Sequence, residues 1–175
     1  MEKGLIHIYT GDGKGKTTAS VGLAIRCLGS GEKVVFTQLM KGNHSSERKI
    51  LEQLSGLYVV PAEKTFGFSW TLTEEEKAEA REVYTRQFDK AVALASENGC
   101  GMVIFDEMLS AYNCDMIERE KVLDFLKHKP EALEVVLTGR DPAPEIAALA
   151  SYISEIKKIK HPYDEGMPFR KGIEH

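Results

Sequence analysis

Apolar and polar positions along the chain alternate between short apolar runs and longer amphipathic stretches. Leu5, Ile6, Ile8 and Tyr9 read as a strand that runs straight into a glycine-rich turn. Positions 17–28 read as a helix, with apolar residues at 21, 24, 25 and 28 on one face, ended by Gly29 and Gly31. Val34, Val35 and Phe36 open a second strand that reaches about Met40. A polar loop, KGNHSS, and a short helix over 47–54 follow. LYVV at 57–60 is a third strand, halted by Pro61. Thr73 and Glu76 have capping-box spacing ahead of a helix with apolar residues at 80, 84, 88, 91 and 95, which Asn98 and Gly99 end. MVIFD at 102–106 is a buried strand that finishes on an acid. A helix over 118–127 and a fifth strand, VVLTGR at 135–140, come next. Pro142 and Pro144 suit the start of a helix that runs to about Ala150, and 153–159 reads as a last strand before an irregular tail. The stretch 62–72 has neither period and holds Phe66, Phe68 and Trp70.

Strands alternating with helices, two of them continuous apolar runs, predict an α/β three-layer sandwich on a mainly parallel sheet. The 175 residues suit one domain, 1–175, with no repeat and no linker. Hydrophobic residues at 42% and charged residues at 29% exclude disordered and disulfide-scaffold classes. The longest apolar runs, at 91–95 and 146–150, are five residues against the roughly 20 a membrane helix needs. The first residues show no signal-peptide pattern, so a cytoplasmic location is expected. A net charge of −4 argues against a nucleic-acid partner. Cys27, Cys100 and Cys114 are odd in number and lack CxxC spacing, which reads as reduced thiols rather than a zinc site.

The chemistry-bearing motif is Thr10-Gly-Asp-Gly-Lys-Gly-Lys-Thr17, placed between a predicted strand and a predicted helix as a P-loop requires. Amides of a glycine turn and the helix N-terminus bind phosphate oxygens. Gly11, Gly13 and Gly15 permit positive φ and close approach. Lys14 and Lys16 supply charge, the Thr17 hydroxyl can ligate Mg²⁺, and Asp12 and Thr18 complete the candidate ATP-binding set. Thr10 stands where GxxxxGK[ST] has its first glycine, so the loop is a variant. Asp106, ending a buried strand, is the matching metal residue, and Glu107 is a candidate to polarise water or anchor the metal's surroundings. Arg140 and Lys41 end two other strands and are candidate phosphate contacts, with plain surface cations as the alternative. With this loop the fold expected is a P-loop NTPase of the RecA-like kind.

The motifs YTGDGKGKTTAS (9–20), QLMKG (38–42), GFSW (67–70), VIFDEML (103–109), VLTGR (136–140), SEIKKIKHPYDEG (154–166) and GIEH (172–175) span nearly the whole chain. In that order they resemble the ATP:corrinoid adenosyltransferases of cobalamin biosynthesis and salvage. Asp12 replaces an asparagine frequent in that family, and Ser69 a threonine. Many members carry an extension ahead of the first strand; here the strand begins at once, and a lid built from it is expected to be absent. The resemblance implies that a cobalt(I) corrinoid attacks C5′ of ATP and that triphosphate leaves; Lys16 and Glu107, read from the loop and the strand end, are the candidate catalytic residues. It implies that Phe68 and Trp70 cover the corrin's lower face and exclude an axial ligand from cobalt(II). The alternative for these aromatics is anchorage of the loop in the core. The resemblance further implies a homodimer and a flavoprotein reductant. A P-loop kinase acting on a small acceptor and a nucleotide-dependent interaction module are the competing readings.

Overall fold

Short segments rich in β-branched and aromatic residues build six strands. These are β1 (Ile6–Thr10), β2 (Val34–Gln38), β3 (Leu57–Val60), β4 (Met102–Asp106), β5 (Glu134–Thr138) and β6 (Tyr152–Glu155). The computed structural model describes residues 3–67 and 69–174. The sheet order is β3-β2-β4-β5-β1-β6, and every one of these neighbouring pairs is parallel. The helices are α1 (Lys16–Gly29), α2 (Arg48–Leu51), α3 (Glu74–Glu97), α4 (Met108–Asn113), α5 (Arg119–His128) and α6 (Pro144–Ala147), with 3₁₀ turns at Ser69–Thr71 and Pro162–Glu165.

The period of two sorts the strand residues onto two cores. Ile6, Ile8, Val35, Val103, Phe105, Val135 and Leu137 pack under α3, α4 and α5. Val34, Phe36, Met102, Ile104 and Val136 pack under α1 and α2, against Ala24, Cys27 and Leu51. Both faces of β2 and β4 are therefore dry, which is why 34–36 and 102–105 read as unbroken apolar runs. The long helix α3 starts as predicted. Glu76 N–H donates to Thr73 Oγ1 at 3.2 Å, and Thr73 N–H donates to Glu76 Oε2 at 2.9 Å. Such a cap is worth about 1 kcal/mol.

The predicted and observed elements differ in the short elements and at ends; α2 spans Arg48–Leu51 rather than 47–54, and β5 spans Glu134–Thr138 rather than 135–140. Helix α4 was not foreseen, because six residues are too few to display a helical period. Strand β2 stops at Gln38, since Met40 turns into the left-handed region at φ 57. Helix α6 ends at Ala147, well short of Ala150. Strand β6 ends at Glu155, and all four of its residues are exposed, because it lies on the sheet's edge. Parallel pairing brings the last residues of β1, β2, β4 and β5, namely Thr10, Gln38, Asp106 and Thr138, to one edge of the sheet. All four are buried and polar where the rest of these strands is chiefly apolar.

Candidate active site

The glycine loop joins β1 to α1 at that edge. Gly11 and Gly15 have φ 108 and 123, which side chains rarely adopt. Gly13 has a different reason to be glycine: a Cβ there would sit 2.6 Å from the carbonyl oxygen of Ile156. The chain just after β6 backs the loop. Gly13 N–H donates to Ile156 O (2.7 Å), Ile156 N–H donates to Thr10 O (2.8 Å), and Lys158 N–H donates to Asp12 Oδ1 (2.9 Å). That last bond, ahead of the Lys158 and Arg140 charges, holds the Asp12 carboxyl below its usual range. Helix α1 opens without a side-chain cap and without an acidic residue in its first turn, and its ladder begins with Ala19 N–H on Gly15 O. The amides ahead of that point form a positive mouth for an anion. Lys14 and Thr18 are exposed beside it.

Lys16 is folded onto the loop, where its Nζ donates to Gly11 O and Gly13 O, each at 2.8 Å. Burial, with the nearby Arg140 charge adding to it, lowers its pKa. An incoming phosphate would give this ammonium a full negative charge in place of two carbonyl dipoles.

Asp106 is fully buried and is the centre of the site. Its Oδ1 accepts from the Thr17 hydroxyl (2.8 Å) and the Thr138 hydroxyl (2.6 Å). Its Oδ2 accepts from Lys41 Nζ (2.8 Å) and Gln38 Nε2 (3.2 Å). Lys41 Nζ also lies 3.1 Å from Thr17 Oγ1 and 3.8 Å from Glu107 Oε1. Burial opposes the charge on Lys41, but the Asp106 carboxylate outweighs it and the pKa is raised. Glu107 sits at φ 61. Its N–H donates to Thr138 Oγ1 (2.9 Å), and its Oε2 accepts from the Ser110 hydroxyl (2.7 Å). A left-handed non-glycine residue costs about 1–2 kcal/mol, so two of them at the ends of neighbouring strands, Met40 and Glu107, mark a site where geometry is held against local preference.

The sequence candidates converge only in part. The loop residues, Lys16, Thr17, Asp106 and Glu107 meet at the carboxyl edge. Arg140 is exposed on the loop after β5, positioned by Gly139, where a Cβ would meet Leu109 Cβ at 2.7 Å. It lines a cavity of about 500 Å³ with Asp12, Lys158, His161, Tyr163, Asp164 and Phe169, and the Tyr163 and Phe169 rings stack at 5.2 Å. Trp70 is 78% exposed on a 3₁₀ turn, whereas Phe66 is half-buried and packs edge-on against Tyr84. Phe68 lies outside the described residues. The residues that sequence reasoning left out are Gln38 and Thr138. Their signal was a polar residue closing an apolar parallel strand.

Mg²⁺ fits the donor set. Thr17 Oγ1 and Asp106 are hard oxygen donors, and among the described residues no three His, Cys, Asp or Glu side chains gather into a cage. Mg²⁺ is commonly held by one or two protein oxygens together with substrate phosphates and water.

The sheet order and the loop at its edge make this a P-loop nucleotide-binding fold. A solved KaiC-like protein from Pyrococcus horikoshii shares the fold, with a TM-score of 0.56 over 91% of this chain and 75% of that one, at 16% identity. The chain belongs to the ATP:corrinoid adenosyltransferase family: the family model described as ATP:corrinoid adenosyltransferase BtuR/CobO/CobP matches residues 2–175. Corrinoid adenosyltransferase of Escherichia coli K12 is 34% identical, over 99% of this chain and 87% of its own. Corrinoid adenosyltransferase CobA of Salmonella typhimurium is 33% identical, over the same shares. The Pseudomonas aeruginosa relative is 31% identical, over 99% of this chain and 84% of its own. Its reaction is accordingly adenosyl transfer from ATP to a corrinoid.

Proposed function

We propose that the loop residues 11–18, Asp106, Glu107 and Arg140 bind and activate MgATP for attack by a corrinoid, all within one domain. The cobalt(I) lone pair forms a bond to C5′, the C5′–oxygen bond breaks, and that electron pair departs with triphosphate. A leaving triphosphate is a concentrated anion, so the catalytic task is to stabilise charge where it develops. The uncapped amides of α1 and the charges of Lys14 and Lys16 do this from the loop side, and Arg140 is placed to do it from the loop after β5. Mg²⁺, held by Thr17 and Asp106 through its oxygen donors, would add Lewis-acid neutralisation of the phosphate oxygens. Glu107 orients the groups around that pair. The observation that carries this reading is the contact between the Thr17 hydroxyl and the buried Asp106 carboxylate at the mouth of an uncapped helix.

The corrinoid-facing roles rest on the aromatic segment. An exposed indole at Trp70 offers a flat apolar surface of the kind a corrin's lower face would cover, and Phe68 is assigned to the same face. Excluding an axial ligand makes cobalt(II) easier to reduce, and we assign the electron to a flavoprotein reductant. We assign a homodimer as well. Edge strand β6 and the segment after it expose Tyr152, Ile153, Ile159, Tyr163 and Phe169, an apolar surface that a second copy would cover. A cytoplasmic setting, where ATP and free thiols such as Cys27 and Cys114 coexist, completes the reading.

The test is product analysis with ATP and chemically reduced corrinoid. Light-sensitive adenosylcorrinoid and inorganic triphosphate in equal amounts are expected. ADP in place of triphosphate would make the chain a kinase, and nucleotide retained without turnover would make it a binding module.

A further inference from the structure

Lys41 supplies an ammonium to the Asp106 cluster, and the reaction as described gives that charge no task. Its ammonium stands within hydrogen-bonding distance of Thr17 Oγ1 and Asp106 Oδ2 and faces Glu107 Oε1 at 3.8 Å. Those are the oxygens to which a divalent cation would be drawn. We propose that Lys41 is a placeholder cation: in the nucleotide-free enzyme it occupies the metal's place between Thr17 and Asp106, and ATP, arriving with its metal, draws it onto the phosphates.

Three features of the structure support this. The Asp106 carboxylate is fully buried, and a cation beside it offsets part of the cost of burying that charge before the substrate arrives. The Lys41 side chain is 34% exposed, so one side of it faces the open mouth and it can swing without breaching the core. Its backbone is preset for this position. Met40 in the left-handed region turns the chain back immediately after β2, and Asn43 fixes the following loop by bonding both Ala62 O and Ala62 N–H at 2.9 Å. Lys16 rests in the same manner, on the carbonyls of Gly11 and Gly13. Two cations thus rest on protein acceptors, and the triphosphate offers both a better partner. A metal ion arriving alone meets a like charge at its own position. Metal binding is therefore conditional on nucleotide, and Lys41 acts as a positioning residue that couples the two.

The inference rests on the assignment of Thr17 and Asp106 to the metal, so the experiment separates the two claims. Mn²⁺ binding to the full chain is titrated by the loss of the free-ion EPR signal, with and without ATP. The variants are Lys41→Met and Lys41→Arg. Wild type and K41R are expected to bind Mn²⁺ weakly alone and at least about tenfold more tightly with ATP than the ATP solution accounts for. K41M is expected to bind Mn²⁺ without nucleotide at least about tenfold more tightly than wild type. Mg²⁺ should raise the melting temperature of nucleotide-free K41M and leave that of wild type unchanged. An unchanged nucleotide-free Mn²⁺ affinity in K41M, alongside normal ATP-dependent binding in wild type, overturns the placeholder role and leaves the metal site intact. No Mn²⁺ binding to wild type beyond that of the ATP solution, with ATP or without it, overturns both. If K41M does not fold, Lys41→Gln carries the same expectations, and wild type binding Mn²⁺ as tightly without ATP as with it overturns the proposal by itself.

Discussion

Replacing Thr138 by valine tests the arrangement around Asp106 at a residue that never touches substrate in this reading. The side chain is fully buried, and its hydroxyl does two things: it donates to Asp106 Oδ1 at 2.6 Å and accepts the Glu107 N–H at 2.9 Å. Valine keeps the branch at Cβ and loses both bonds. A hydrogen bond to a carboxylate contributes about 1.5–3 kcal/mol, and a buried N–H left without a partner costs about 1–3 kcal/mol. The added methyl recovers part of that by apolar burial, so the net loss expected is about 2–5 kcal/mol. In a domain of this size each kcal/mol lowers the melting temperature by about 2–4 °C, which predicts a fall of roughly 4–20 °C. Since the Glu107 N–H helps hold a left-handed turn, Glu107 and Asp106 should also lose alignment, and the Mg²⁺ concentration for half-maximal turnover should rise about tenfold. Thermal denaturation followed by circular dichroism and a Mg²⁺ titration of triphosphate release read the two effects. Thr138→Ser, which retains the hydroxyl, should recover most of both. A valine variant melting within about 2 °C of wild type with an unchanged Mg²⁺ titration would refute the reasoning.

Lys16→Ala should reduce triphosphate release by orders of magnitude while the far-UV spectrum stays native; turnover and ATP affinity equal to wild type would sink the assignment of the loop. Trp70→Ala, at an exposed position, should leave the melting temperature and the ATP affinity nearly unchanged, yet impair adenosylation of cobalt(II) corrinoid, with partial rescue by chemically supplied cobalt(I). Survival of a four-coordinate cobalt(II) signal in the double variant Phe68→Ala, Trp70→Ala would remove the aromatics from the corrin face. Asp12 has a folded-state pKa below its ordinary 3.8, held there first by the Lys158 N–H. Its contribution is therefore present above the ordinary value and lost as pH falls through the lowered one. Asp12→Asn should flatten that acid limb of the melting-temperature profile, and an identical acid limb in both proteins would show that the loop clamp does not depend on the charge.

The fold was legible because three-layer packing leaves a strong imprint. MVIFD and LYVV are apolar throughout or nearly so, and the strand-to-helix alternation has few other solutions. Edges and short elements were the unreadable part. Strand β6 pairs on one side only and buries none of its side chains, so its pattern carries no burial period. Gln87 shows the opposite failure. Three residues after Tyr84 and four before Ala91 it shares the buried face of α3, but the period names no partner for a polar side chain there; it is fully buried and donates to Thr37 Oγ1 at 2.7 Å and to Gln38 O at 3.0 Å. It reaches across from α3 to β2 directly beneath the site, a contact between elements 49 and 50 residues apart that no local pattern encodes.

The site was legible where chemistry is concentrated in adjacent residues and hidden where it is assembled from strand ends. Residues 11–18 announce themselves because the amides, the helix N-terminus and the lysine come from one continuous segment. Asp106 ends β4, and its four donors come from α1, β2, the loop after β2, and β5. What brings them together is register. Gln38 lies opposite Asp106 across β2 and β4, and Leu137 lies opposite Phe105 across β4 and β5, so Thr138 must close its strand at the level of Asp106. Once the order of the sheet is known, the polar residue that ends each strand is fixed in place without reference to any motif. The left-handed residues Met40 and Glu107 then follow as a consequence. To return Lys41 and the Glu107 carboxylate to the height of Asp106, the chain must reverse within a residue or two of leaving the sheet, and a right-handed backbone would carry both side chains past it. The backbone strain and the cluster of charges around Asp106 are thus two aspects of one requirement, that several strands deliver their polar ends to a single carboxylate.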